Sequence, residues 1–221
     1  MPRQKQIKTL RQIIKESLIA TGILASTSIA SIYGIETYLS SKSRELESSF
    51  PTYVERFEKK YGPFNVKPSL KFGHITTERL VIARADPNGV VTVNNDPLLY
   101  LMNCTLFGCS KEDIIPHELG HLFMNKMIEK FNPNWITIGD KGIRVSIEMR
   151  DMIKTIGEGV AEYIGNNNGG YLKNNYSNYY SFVKPVLDNF GLEEGIKRLL
   201  LEPPTYFELK NPVVYYKRLA K

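Results

Sequence analysis

Apolar and polar positions follow two different rhythms along the chain. Residues 50–62, FPTYVERFEKKYG, repeat at helical spacing. Val54, Phe57 and Tyr61 share a face, Glu55 and Lys59 pair across one turn, Pro51 suits a first turn and Gly62 ends the helix. The rhythm then changes. LVIARA at 80–85 and VVTVN at 90–94 flank DPNG, which predicts a hairpin with Gly89 free to take positive φ. A loop is expected over 95–109. Ser110 and Asp113 resemble a helix-start pair, and the helix they open is expected to run to about Phe131. Pro116 is comfortable there if the regular helix begins near it. After a loop at 132–143, a second long helix is expected from about Val145 to Gly165, closed by NNNGG. Residues 171–221 read as two or three helices divided by Gly191 and by Pro203-Pro204.

Ahead of this pattern lies an uncharged stretch, SLIATGILASTSIASIYGI at 17–35, about as long as a helix that crosses a bilayer. Three readings fit it: a signal anchor, a signal peptide cleaved near Ser28-Ile29-Ala30, or a buried helix. In the first two, the basic tail of residues 1–16 stays in the cytoplasm and the rest lies outside, membrane-anchored or secreted. Gly22, Ser26, Ala30 and Gly34 form a small-residue ridge on one helix face, which favours the anchor and a homodimer formed through it. Residues 36–49 are polar and read as a stalk, leaving 50–221 as the folded domain.

Charge and cysteine content narrow the picture. The net charge is +6 over 221 residues, but Arg3, Lys5, Lys8, Arg11 and Lys15 supply most of it. A nucleic-acid binder carries its basic footprint on the folded domain, so nucleic acid is not expected as a partner. Cys104 and Cys109 are spaced to close a small disulfide loop in an oxidising compartment and to remain free thiols in the cytosol. Asn103-Cys104-Thr105 and Asn175-Tyr176-Ser177 fit the glycosylation sequon.

The candidate chemistry sits in IIPHELGHLF, residues 114–123. Residues four apart on a helix lie one above the other, so His117 and His121 can aim two imidazoles at one ion. Glu118, about 100° round the helix, can reach a water molecule at that ion without binding it. A catalytic zinc needs three protein ligands and an open fourth position. The remaining histidine, His74, lies in a loop upstream and reads as a surface or packing residue, so a carboxylate is expected as the third ligand. Glu158 and Glu162 in IGEGVAEYIG are also four apart: one can bind the metal while the other orients a ligand histidine. Gly157 and Gly159 flank Glu158 and predict a close approach to the motif helix.

HELGH followed by GEGVAEYIG resembles the gluzincin branch of zinc metallopeptidases, the thermolysin-like core and its peptidase MA relatives. The resemblance covers roughly residues 80–200. It implies a zincin-like α+β fold, with a small sheet or hairpin packed on an active-site helix and a mainly helical C-terminal part. It also implies one zinc ion per chain held by His117, His121 and Glu158, with Glu162 supporting a histidine. Glu118 becomes the general base as a metal-activated water attacks a peptide bond. The peptide is expected to lie along the 90–94 strand and add a strand to it. A tyrosine after the glutamate motif is expected to steady the oxyanion: Tyr176 first, with Tyr179 and Tyr180 as the other candidates. The loop between the motifs is longer than in thermolysin. The alternative function is a catalytically inactive zincin-fold binding or cell-envelope structural protein.

Overall fold

The fold is built around a helix with little polar surface of its own. Ile115, Leu119, Leu122, Phe123 and Met127 recur at three- and four-residue spacing in α2, Lys111–Phe131, and all are buried. Met124 and Ile114 bury a further side of it, so α2 runs through the middle of the core. The structure is a computed structural model that describes residues 40–41, 43–73, 75, 81–96, 111–135, 146–166 and 177–221. Residues 43–221 form one unit. Its described part is α+β: a three-stranded sheet and seven helices.

The first helix, α1, covers residues 43–61. It starts earlier than the apolar pattern suggested. Leu46 and Phe50 are buried with Phe57, so part of the segment read as a polar stalk contributes to the core. Phe57 stacks on Phe64 and meets Phe123 of α2, which fixes α1 to the central helix. Gly62 takes φ 84° and ends α1.

The hairpin is present. Strand β2, Ala83–Ala85, pairs antiparallel with β3, Val90–Asn94. At the turn, Gly89 has φ 89° and donates its N–H to the Asp86 carbonyl at 2.9 Å, while the Asp86 carboxylate accepts from the Asn88 N–H at 2.8 Å. Strand β1, Ser69–Gly73, was not anticipated. It pairs parallel with β3 from Ser69↔Val90 to Gly73↔Asn94, giving the order β1-β3-β2. Val91 and Val93 point into the core from the middle strand. The expectation that a peptide adds a strand to 90–94 is therefore corrected. Both edges of β3 are already hydrogen-bonded, to β1 on one side and β2 on the other.

Pro116 also sits differently from expectation. It lies inside α2, after the first turn, rather than at its start. The N–H it lacks would have bonded a first-turn carbonyl, so the helix loses one bond near its end and continues.

The second long helix is α3, Ile147–Asn166. It packs along α2 and carries Ile156, Val160 and Ile164 into the core. Four helices follow: α4 Ser177–Phe190, α5 Leu192–Leu201, α6 Tyr206–Lys210 and α7 Pro212–Leu219. The breaks fall at Gly191, with φ 78°, and at Pro203-Pro204 as expected, with a further break at Asn211. Thr205 caps α6 through a reciprocal pair with Glu208.

The membrane reading requires correction. No helix among the described residues is long and apolar enough to cross a membrane. Residues 17–35, with the Gly22, Ser26, Ala30 and Gly34 ridge, lie outside the described residues. Nothing in the fold supports a membrane partner or a homodimer through that ridge, and neither is carried forward.

Candidate metal centre

The site forms where α2 and α3 come closest. Gly120 faces Ala161, and a Cβ on Gly120 would stand 2.8 Å from the Ala161 Cα and 2.9 Å from its carbonyl oxygen. One turn further along α3, a Cβ on Gly165 would stand 3.2 Å from the His117 backbone nitrogen. These two glycines let the backbones touch and bring side chains of both helices to one point. Gly157 and Gly159 do not do this. Gly157 has open space around it, and Gly159 is pressed against Tyr179 and Val183 of α4. The expected close approach exists but is made by other glycines.

Three ligand atoms converge at that point. His117 Nε2 lies 3.1 Å from His121 Nε2 and 3.4 Å from Glu158 Oε2, and His121 Nε2 lies 3.5 Å from the same carboxylate oxygen. A tetrahedral ion with bonds of about 2.0–2.1 Å requires its ligand atoms to be about 3.3–3.4 Å apart. The triangle has that size. The imidazole planes meet nearly at right angles, 85°, so both lone pairs can point at a common centre. Among the described residues, His117, His121 and Glu158 form a group able to hold a metal ion. Two neutral nitrogens and one carboxylate suit zinc.

The outer contacts fix the ligand orientation. His117 Nδ1 lies 3.2 Å from Glu162 Oε2, in a buried pair. An N–H at Nδ1 donated to Glu162 leaves Nε2 to face the other two ligands. Exposure is graded across the group: the side chains of His117 and Glu162 are 4% and 5% exposed, those of His121 and Glu158 25% and 23%. The group is sealed on the Glu162 side and open on the Glu158 side.

The electrostatics follow from two imidazoles and three carboxylates drawn together. Burial alone would lower the His117 pKa, but Glu158, Glu162 and Glu118 outweigh it and raise it to about 9. Burial pushes the Glu158 carboxyl up, while His117 and His121 outweigh that and hold it far below the usual carboxylate range. Among the described residues, Glu158 Oε2 and Glu118 Oε2 are buried oxygens that accept no hydrogen bond. Glu158 Oε2 still faces both histidine nitrogens as an ion pair, so the orphaned oxygen is that of Glu118, and a water molecule held at the centre would satisfy it. The donor set and the orphaned Glu118 oxygen thus fit a zinc ion.

The structure brings His117, Glu118, His121, Glu158 and Glu162 together from two helices. Tyr176, Asn175, His74, Asn103, Cys104 and Cys109 lie outside the described residues. Of the other tyrosine candidates, Tyr180 stacks on Tyr163 at 6.3 Å and Tyr179 lines a cavity with Asp151 and Thr155. Sequence reasoning missed Gly120 and Gly165. Their signal was a small residue beside each histidine–glutamate contact, visible in HELGH and at the end of YIG.

Compared with protein-family models, curated proteins and solved structures, the chain matches none.

Proposed function

We propose that the chain is a zinc-dependent peptidase that hydrolyses peptide bonds with Glu118 as general base. The observation that carries this reading is the triangle of His117 Nε2, His121 Nε2 and Glu158 Oε2, its edges 3.1, 3.4 and 3.5 Å, beside a buried, unpaired Glu118 oxygen. Resemblance of the two motifs to gluzincins points the same way.

His117 and His121 of α2 and Glu158 of α3 would hold the ion, with Glu162 orienting His117. Zinc held there supplies Lewis acidity, polarising a peptide carbonyl and making a water molecule more acidic. Glu118 then accepts a proton from the attacking water. The water oxygen bonds to the carbonyl carbon, the carbon–nitrogen bond breaks, and Glu118 passes its proton to the departing amine. Glu118 follows His117 in sequence and has an oxygen with no competing hydrogen bond.

A non-catalytic zincin-fold protein has no need of Glu118. Replacing that residue separates the two readings. Glu118→Gln is expected to keep zinc and lose cleavage of a peptide library by about a hundredfold or more, the scale of a lost general base. Library cleavage by Glu118→Gln equal to the parent's, or none by a zinc-loaded parent, contradicts the peptidase reading.

A further inference from the structure

We propose that a cavity beside the metal centre is an arginine-binding site, with Asp151 as the residue that recognises the guanidinium. The proposal rests on the peptidase reading for its substrate: the arginine belongs to the peptide that is cut.

The cavity has a volume of about 550 Å³. Asp151 and Thr155 of α3 form one wall, Tyr179 and Phe182 of α4 another, and Tyr206 and Lys210 of α6 a third. Its link to the metal centre follows from helix geometry. At about 100° per residue, positions 151, 155, 158 and 162 fall within about 60° of one another, on one face of α3. That face starts at buried Glu162, passes Glu158 where the centre opens, and continues to Asp151 in the cavity wall. The rise of about 1.5 Å per residue places Asp151 about 10 Å from Glu158 along the axis. An extended peptide advances about 3.3 Å per residue, so the cavity accepts a side chain within about three residues of the bond that is cut.

The chemistry of the walls selects the ligand. Asp151 is the one carboxylate in the lining, it is half-buried, and among the described residues its side chain makes no ion pair or hydrogen bond. Tyr179, Phe182 and Tyr206 surround it with aromatic surface. Cations already reach two of these rings: Lys210 Nζ lies 5.2 Å from the Tyr206 centroid and Lys154 Nζ 5.9 Å from the Tyr179 centroid. Both lysines are exposed and so are screened by solvent, whereas Asp151 is not fully so. A planar guanidinium satisfies both features, stacking on aromatic faces while its fork of N–H groups donates to the carboxylate.

The test uses the full chain and two probes of the same shape, N-acetyl-arginine amide and its neutral counterpart N-acetyl-citrulline amide, with N-acetyl-glutamate amide as the opposite charge. Binding is read by NMR titration of the parent and of Asp151→Asn. The parent is expected to prefer arginine over citrulline by about tenfold or more, the size of a charge-assisted pair, and Asp151→Asn to lose that preference. Unchanged zinc content in the variant confirms that it folds. Equal binding of arginine and citrulline by the parent, an undiminished preference in Asp151→Asn, or a preference for glutamate overturns the proposal. A peptide library separates the two layers of the argument. Cleavage indifferent to arginine overturns the site while leaving the peptidase reading intact. Absence of cleavage together with Asp151-dependent arginine binding overturns the peptidase reading and upholds the site.

Discussion

His117 is where ligand chemistry and protonation meet most directly. In the metal-free chain its pKa is raised to about 9, because Glu158, Glu162 and Glu118 together outweigh its burial. A raised pKa means that the ring is protonated at neutral pH. Nε2 must therefore lose a proton before it can bind an ion, while Nδ1 keeps its own on Glu162. Zinc uptake near pH 7 is expected to release about one proton per site from this residue, and apparent affinity is expected to rise with pH until about pH 9. Calorimetric zinc titrations in buffers of different protonation enthalpy would show the release. Uptake at pH 7 with no buffer dependence would show instead that His117 is already neutral.

Between elements, the decisive contact is the α2–α3 crossing. Because the ligands are divided between two helices, anything that separates the helices also opens the triangle. Gly120→Ala places a methyl 2.8 Å from backbone atoms that cannot yield, and is expected to cost about 2 kcal/mol or more and to weaken zinc binding. Gly157→Ala is the contrasting change. Nothing lies within 4 Å of its Cβ, so the gain in helix propensity is expected to stabilise the fold by about 0.5–1 kcal/mol. Chemical denaturation of both variants checks the pair; like signs would show that the crossing is not backbone-tight.

This contrast also shows what can be read from the sequence. The i,i+4 pairs His117/His121 and Glu158/Glu162 were legible because each lies within one helix, where spacing alone sets direction. The DPNG hairpin was legible for the same local reason. Which glycine meets which helix depends on how α3 is rotated against both α2 and α4, so Gly120 and Gly165 were passed over for Gly157 and Gly159. Strand β1 was hidden because SLKFG is short and pairs in parallel with a strand some twenty residues away, a non-local contact with no turn to announce it. The central position of β3 follows from that unseen partner, and so does the loss of its edge as a peptide template. Leu46 escaped notice because it stands among polar residues, and its burial comes from tertiary packing that local spacing does not show.

Across the molecule, the last two helices are tied together by a charge pair between buried Glu208 of α6 and exposed Arg218 of α7. Glu208 is buried and accepts from Arg218 Nε at 2.8 Å and Nη2 at 3.0 Å, and from the Thr205 N–H at 2.8 Å. Arg218, against the opposing effect of burial and with help from Thr205, lowers the Glu208 pKa from 4.5 to about 2. A lowered pKa stabilises the fold above the unfolded value and is lost as pH falls through the folded one. The contribution is therefore complete above about pH 4.5 and gone near pH 2. Glu208→Gln is expected to lower stability by about 1–2 kcal/mol at pH 7 and to flatten the acid limb of the stability profile over that window. An acid limb identical to the parent's would remove this pair from the account of how α6 and α7 are held.

The central claim is that α2 and α3 together build a three-ligand zinc site. Its most direct measurement is zinc stoichiometry by native mass spectrometry, with the parent compared to Glu158→Gln. One zinc per folded parent chain is expected, with affinity in the variant reduced by about a hundredfold or more as one of three protein ligands is lost. A folded parent that takes up no zinc, or a variant that holds it as tightly as the parent, would contradict the site.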